Sequence, residues 1–462
     1  MESNSDLNDA GWFMSPGITF QTLRIIAISM KRIILYMTVF IAGCTWRSSG
    51  DAEVTSLDSL GFPYIIDLEK GLENSGAVFL LSSIADSIRF VKLEKGEDCI
   101  FDNIYNVEID SNNIFFYSPA GQERSAIFRY TTDGKFIQSI GRLGRGPGEY
   151  AGCSFSIDYE TKDLLILRWY IFQDIIIYDY DGNFKGQHPI GKLERSNSIM
   201  TLTGGRVISY HNSWWDPAVM MEKNGQMFQL FDSSGIPKEV ILQPIMSLKN
   251  RENYKGHSLF LSDNSKGLYR YGDEAYMHSR WNDTIYISSG YELRPAFILK
   301  KGKYQAPFPE RYGKVYFTED PYLGEYITSE LLLLGTRFYI EQHLGEEKIV
   351  FEYNLVNGEV RNSRVAPSGK HPVGFYEYEK SPWFIDDLSG SGAGIKVSAR
   401  TERDGSVLAI PHYASYFRDK FGAREVAEGV DFRQSMLAER LKTLNDLNDD
   451  DNPVIVLIYL KK

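Results

Sequence analysis

The chain has 462 residues, 43% hydrophobic, 14% aromatic and 24% charged, with 50 Lys and Arg against 61 Asp and Glu for a net charge of −11. That acidic balance excludes a surface built for nucleic acid or anionic headgroups, which needs clustered positive charge. The apolar content is too high for disorder and 3 Cys are too few for a disulfide scaffold, which leaves an aromatic-rich globular body.

Residues 1–29 carry no structural pattern and precede a better start at Met30. From there Lys31 and Arg32 lead into an apolar run over 33–43 and then Cys44. A basic start and a short apolar core make a secretory signal, too short to span a bilayer as a helix. Ile41-Ala42-Gly43-Cys44 resembles a bacterial lipobox, whose small residues let the extended chain enter a peptidase cleft and whose Cys thiol is acylated. The several acyl chains of such a Cys give stable attachment where a single chain would not, so a lipid bilayer is one expected partner. Residues 45–60 are rich in Ser, Asp and Gly and read as a flexible tether. The expected division is a signal peptide over 1–43, a lipidated Cys and tether over 44–61, and a folded body over 62–462. Thr45-Trp46-Arg47-Ser48-Ser49 holds no acidic export tag, which points to the periplasmic side of the outer membrane. Cys99 and Cys153 could pair, but their strand-like surroundings favour two buried free thiols.

Past residue 60 the pattern is short β-rich runs broken by turn residues. Six pairs of apolar strands stand out: 113–118 with 125–130, 164–169 with 174–179, 206–211 with 227–232, 274–278 with 283–287, 337–341 with 348–353, and 406–410 with 453–459. The first five turn at Asp133-Gly134, Asp181-Gly182, Ser234-Gly235, Ser289-Gly290 and Asn357-Gly358, dipeptides suited to hairpins whose two central residues both need positive φ. The spacing of roughly 40–70 residues is that of four-stranded propeller blades. Upstream strands at 104–110, 155–158, 199–203 and 329–334 and downstream strands at 135–140 and 183–188 complete them. The sixth unit lacks its fourth strand, and the orphan strand 86–93 has the pattern to pair beside 453–460. The predicted fold is therefore an all-β six-bladed β-propeller closed by pairing of its N- and C-terminal strands, a closure that removes two exposed sheet edges. One short helix is expected in the C-terminal insertion, over 431–447, capped by Asp431 with Phe432, Met436, Leu437, Leu441 and Leu444 near one face. That helix is placed to shield part of the channel mouth, and the following Asn448-Asp449-Asp450-Asp451 reads as a solvated helix end rather than a Ca²⁺ site.

Ile140-Gly141-Arg142-Leu143-Gly144-Arg145-Gly146-Pro147-Gly148-Glu149-Tyr150, Trp281-Asn282-Asp283-Thr284-Ile285-Tyr286, Gly302-Lys303-Tyr304 and Asp451-Asn452-Pro453-Val454-Ile455-Val456 resemble segments of the 6-bladed β-propeller lipoproteins of Bacteroidetes, with NHL-like blades. The resemblance implies a six-bladed ring on an exported lipoprotein and implies no reaction. The loop over 212–226, with Trp214 and Trp215, departs from that pattern.

Ligands of propellers bind where the second-to-third-strand loops and the blade-to-blade connections open, since loops carry function on a rigid scaffold. The candidate lining is Arg142, Arg145, Trp169, Tyr170, His211, Trp214, Trp215, His278, Trp281 and His412, with Glu149, Tyr150, Arg168, Arg280 and Tyr413 beside them. Aromatic and Arg side chains stack on sugars or pair with carboxylates. His211, His278 and His412 end equivalent strands and are the candidate metal ligands, with His343 close to that position. The glycines over 141–148 lack a phosphate loop's Lys-Ser/Thr ending and following helix, so they read as a tight connection with Glu149 and Tyr150 bonding the neighbouring blade. No nucleophile elbow and no His-Glu-x-x-His occurs, and no cofactor is predicted. The expectation is a non-catalytic, membrane-tethered propeller binding a glycan, peptide or envelope protein on its loop face. The alternative is a metal-dependent hydrolase or lyase using the His ring.

Overall fold

The computed structural model describes residues 62–74, 76, 78–101, 103–119, 126–168, 174–189, 196–211, 226–232, 237–242, 267–278, 283–305, 326–344, 347–363, 383–396, 400–401, 406–422 and 433–461. Six antiparallel sheets form a β-propeller. Blade 1 is Tyr105–Ile109, Asn113–Ser118, Ala126–Thr131 and Phe136–Ile140, in that order from axis to rim. Blade 2 is Cys153–Asp158, Asp163–Arg168, Asp174–Asp179 and Phe184–Pro189, and blade 3 is Ser196–Leu202, Arg206–His211, Gln226–Asp232 and Pro237–Leu242. Blade 4 runs Leu268–Tyr271, Glu274–Met277, Thr284–Ser289 and Glu292–Lys300, and blade 5 runs Tyr326–Leu334, Arg337–Leu344, Glu347–Asn354 and Val360–Ser363. All six expected strand pairs are the second and third strands of a blade.

Blade 6 combines the two ends of the body. Arg400–Thr401, Val407–His412 and Val454–Leu460 are followed outward by Ala85–Lys92, paired as Ile88↔Ile458, Phe90↔Val456 and Lys92↔Val454. The predicted closure is therefore present in the predicted place.

Middle strands are apolar on both faces because each blade is sandwiched between two others, and all six residues of Asn113–Ser118 and of Asp163–Arg168 are buried. The core is accordingly a set of seams between blades. Between blades 4 and 5 Phe297 stacks on Phe338 at 4.2 Å between centroids, and between blades 6 and 1 Phe101, Phe116 and Phe128 interlock.

The turns differ from expectation in one respect. In blade 1 the Thr131 amide donates to the Lys135 carbonyl at 2.9 Å and Gly134 donates to Thr131 at 2.9 Å; only Gly134 has positive φ, at 83°, while Asp133 does not. Blade 2 repeats this with Asp179, Asn183 and Gly182. These are three-residue loops ending in a left-handed bulge, not two-residue loops with two left-handed residues, because the bulge restores the strand twist with one glycine. The Gly134 position is doubly restricted, since a Cβ there would lie 2.2 Å from the Lys92 carbonyl of the closing strand. Ser234-Gly235 lies outside the described residues.

The described residues among 62–84 form a strap around the rim that the strand pattern did not disclose. Tyr64–Asp67 adds to blade 4 as a parallel fifth strand, with Tyr64↔Phe297 and Asp67↔Lys300. Asp67 then accepts from the Lys70 amide at 2.9 Å and caps a single helical turn, α1 (Leu68–Gly71). On blade 5's outer strand Asn362 donates to the Gly71 carbonyl at 2.7 Å and Asn74 donates to the Val360 carbonyl at 2.8 Å. Leu80 bridges Ile385 of a small hairpin, Phe384–Ile385 with Gly394–Ile395, and the Ser82 amide donates to Asp387 at 2.8 Å before the closing strand begins.

The C-terminal insertion holds two helices where one was expected: α2 (Ala414–Phe421) and α3 (Gln434–Asn445). Asp431 and Phe432 lie outside the described residues. The helix α3 lies along the rim edge of Ala85–Lys92 and not over the channel mouth. Glu439 accepts from the Phe90 amide at 3.4 Å, Thr443 donates to the Phe90 carbonyl at 3.5 Å and Arg433 donates to the Asp86 carbonyl at 2.6 Å. Polar side chains of the helix thus occupy the hydrogen-bonding groups of an otherwise open edge.

Candidate functional site

Second strands end, third strands begin and blades connect at one end of the sheets, so Ser118, Arg168, His211, Met277, Leu344 and His412 share that end. The best-defined part of it is the connection from blade 1 to blade 2. Arg142–Leu143 and Glu149–Tyr150 pair in parallel, closing the glycine-rich segment into a loop around the Glu149 carboxylate. That carboxylate accepts from the Gly146 amide at 2.8 Å and pairs with Arg142 Nε at 2.7 Å. The Gly146 amide, then Arg142 and the Arg145 amide, hold Glu149 below the usual carboxylate range. Gly144 is required by this packing, since a Cβ there would lie 2.1 Å from Glu149 Oε2.

Tyr150 pins the loop to the preceding blade. Its hydroxyl accepts from the Ile127 amide at 2.8 Å and donates to the Ile140 carbonyl, and burial pushes the phenol well above its ordinary value. Arg168 pins it to the next. Its Nε and Nη2 donate to the two oxygens of Asp174, and Nη1 reaches the Glu149 carbonyl at 3.2 Å. Sequence reasoning placed Arg168 in the lining, but at 5% exposure it is spent on the scaffold. The clamp presents two guanidinium groups at its surface: Arg142, paired with Glu149 yet 80% exposed, and Arg145, which is exposed. At the neighbouring seam Tyr105 is 42% and Tyr413 36% exposed, with the Tyr413 hydroxyl donating to Asn103.

His278 and His412 do not join that surface. His412 is buried, stacked on Tyr416 at 5.5 Å and edge-on to Phe421, and burial, with Lys420 adding to it, holds its pKa well below the ordinary value. His278 is fully buried. His211 ends its strand as expected, but its imidazole lies outside the described side chains, as does that of His343. Trp169, Tyr170, Trp214, Trp215, Arg280, Trp281 and Cys44 lie outside the described residues altogether. Among the described residues no group of three or more His, Cys, Asp or Glu is placed to hold a metal. The acidic run is paired as a helix end: Asp449 with Arg418, Asp450 with Lys95 at 2.7 Å and Asp451 with Lys92 at 2.8 Å. Cys99 and Cys153 are free and buried, and burial raises the Cys153 thiol.

One polar cluster went unread in the sequence. The Arg270 guanidinium on blade 4's first strand lies 5.2 Å from the Tyr159 ring and reaches Ser156 and Thr201 at 3.5 Å each. Tyr159 in turn donates to Glu108 at 3.1 Å. Burial, then Glu108, raise this phenol well above its ordinary value, so it stays a donor at neutral pH. These contacts tie the first strands of blades 1 to 4 together. No run of like residues signals them, because each partner comes from a different repeat.

A family model described as a domain of unknown function (DUF4934) matches residues 63–459. Among solved structures, a protein from Bacteroides fragilis NCTC 9343 described as exported is 14% identical, with a TM-score of 0.55 over 86% of this chain and 99% of its own. A structural-genomics protein from Bacteroides thetaiotaomicron VPI-5482 is 12% identical, with a TM-score of 0.36 over 70% of this chain and 73% of its own. Virginiamycin B lyase from Staphylococcus aureus is 9% identical, with a TM-score of 0.36 over 60% of this chain and 74% of its own. No curated protein matches the chain.

Proposed function

We infer the function from the premise that the chain belongs to the DUF4934 family: it is an exported, lipid-anchored propeller with NHL-like blades that binds a glycan, peptide or envelope protein at its connection end without catalysing a reaction. The observation that carries this reading is the clamp from Gly141 to Tyr150, which spends its buried polar groups on scaffold and leaves Arg142 and Arg145 facing solvent. Exposed cations on a pre-ordered loop bind at a small entropic cost, and Tyr105 and Tyr413 add rings suited to stacking. A metal-dependent reaction at His211, His278 and His412 has no support of this kind, since His278 and His412 are buried.

Anchoring rests on the Ile41-Ala42-Gly43-Cys44 lipobox, and export is further supported by a like-folded protein described as exported. The periplasmic face of the outer membrane is the proposed location. Residues 45–61, at most about 3.5 Å each when extended, would let the ring stand roughly 60 Å from the bilayer.

The test screens the purified protein against a glycan array and an array of envelope-derived peptides, beside an Arg142→Ala/Arg145→Ala variant. One ligand class should bind, and the variant should lose at least tenfold in affinity with its melting temperature unchanged. Binding that ignores the double substitution would overturn the assignment of the site. A Cys44→Ala variant that still fractionates with membranes would overturn the anchor.

A further inference from the structure

The helix α3 has an orientation that apolar periodicity does not predict. Its inward face carries Met436, Arg440 and Thr443, while Leu441 is 45% exposed. A roll of about 100°, one residue's worth, would bury the leucine and free the arginine. Arg440 instead occupies a core seat at 2% exposure, and its Nε and Nη1 have no hydrogen-bond partner.

The surrounding charges do not complete it. Asp386, fully buried, attracts Arg440, but its oxygens already accept from the Leu388 amide at 3.1 Å, the Ser389 amide at 3.0 Å and the Ser389 and Ser391 hydroxyls. Asp387 is held by Ser82, and Glu341 by the Trp383 indole at 2.7 Å and Lys396 at 3.2 Å. Burial lowers the guanidinium pKa despite the pull of Asp386, so that one carboxylate does not offset the desolvation. An arginine keeps its proton in a protein, so it is the hydrogen bonds and charge compensation that are missing.

We propose that Arg440 anchors a binding site for a small monocarboxylate on the rim of blade 6, between α3 and the hairpin Phe384–Ile385/Gly394–Ile395. A carboxylate brings acceptor oxygens and one negative charge to a desolvated cation. A hydroxyl or a water fills the hydrogen bonds and leaves the guanidinium only the charge of Asp386, which is already bonded to Ser389 and Ser391. A dianion such as phosphate meets the Asp386 charge and is disfavoured. The site is separate from the connection end and stands whether or not that end binds a partner.

The experiment follows thermal unfolding of the mature protein in sodium acetate, in N-acetylglycine (a peptide-like carboxylate), in phosphate and in NaCl at equal ionic strength. At 100 mM either carboxylate should raise the melting temperature by about 2 °C over NaCl, with a smaller rise in phosphate. Arg440→Met should abolish that rise and, with no carboxylate added, melt at or above the wild type, because it removes a buried guanidinium whose Nε and Nη1 lack hydrogen bonds while Asp386 keeps its own donors. Equal melting temperatures in carboxylate and NaCl, or an equal rise in phosphate, would mark an adventitious ion only and overturn the proposal, as would a rise that survives Arg440→Met. Should that variant not fold, saturation-transfer NMR of acetate on the wild-type protein decides: transfer that N-acetylglycine suppresses supports the site, and no transfer overturns it.

Discussion

Blades 4 to 6 and blades 1 to 3 are held in different ways. On the first side the rim is covered: Tyr64–Asp67 extends blade 4, α1 and Asn74 engage blade 5, and α3 lies on the closing strand of blade 6. Between blades 5 and 6 the strap, the hairpin and both helices merge with strand side chains into one apolar mass that includes Phe79, Ile88, Trp383, Phe417 and Met436. On the second side the sheets end at their own fourth strands, with no further strand joining them among the described residues. Among the described residues the cluster between blades 2 and 3 comprises Leu165, Leu167, Ile175, Ile199, Val207 and Phe231. Polar bonds supplement it. Arg129 donates to the Tyr180 carbonyl at 2.8 Å, Arg206 to the Gly290 carbonyl at 2.8 Å, and Arg270 and Tyr150 act as described. To the apolar seams between blades, which include Phe115, Phe155 and Ile166 between blades 1 and 2, one side of the ring adds buried area contributed by the chain's ends and the other adds directional bonds between repeats.

Four substitutions bear on that contrast. The largest effect belongs to Ile88→Asp on the closing strand, where Ile88 is 1% exposed. An unpaired charge there should cost about 4 kcal/mol or more, seen as loss of soluble protein or a melting temperature lower by about 5 °C or more. Ile137→Asp on blade 1's uncovered outer strand, 40% exposed, should move the melting temperature by about 1 °C at most. Equal losses from the two would erase the distinction between covered and bare rims.

Next comes Tyr150→Phe on the polar side, which strands the buried Ile127 amide and should cost about 1–3 kcal/mol in urea unfolding. A neutral result there would mean that the blade 1–2 junction does not depend on its bonds.

The smallest effect is a pH slope on the apolar side. His412 is held neutral by burial, so the unfolded chain binds a proton that the folded chain refuses. Its contribution is present above pH 6.5 and is lost as the pH falls toward the depressed folded value, at about 1.4 kcal/mol per pH unit. Urea midpoints at pH 6.5 and 5.5 should diverge in the wild type and converge in His412→Leu. A slope unchanged by the substitution would assign the acid sensitivity to another group.

Much of the ring was legible because a blade strand buried on both faces shows as an apolar run, as in Leu164 to Leu167, and because five of the six pairs lead into a glycine turn. Closure was legible by elimination, since Val454–Leu460 needs an outer neighbour and Ala85–Lys92 lacked one. The strap was not. Tyr64–Asp67 is four residues long and its partner lies more than 200 residues away in parallel register, so neither a turn nor a period announces it. Arg440 was hidden by the very pattern used to find its helix, since Leu437, Leu441 and Leu444 suggest one buried stripe and the tertiary packing selects another. The candidate site was legible only where glycines force a shape, around Glu149. Burial decides what a histidine at a strand end does, and spacing does not report it.

The parallel ribbon on blade 4 also determines how the body answers a pull on its leading end. Tension applied ahead of Phe62 runs along Tyr64–Asp67 and loads its bonds to Phe297–Lys300 in shear, so that they fail together rather than unzipping one by one. Only after that ribbon slips would the pull travel past α1 to Ala85–Lys92, the strand that shuts the circle. A short ribbon at the rim would thus give way to a pull on the residues ahead of it before the ring itself is opened.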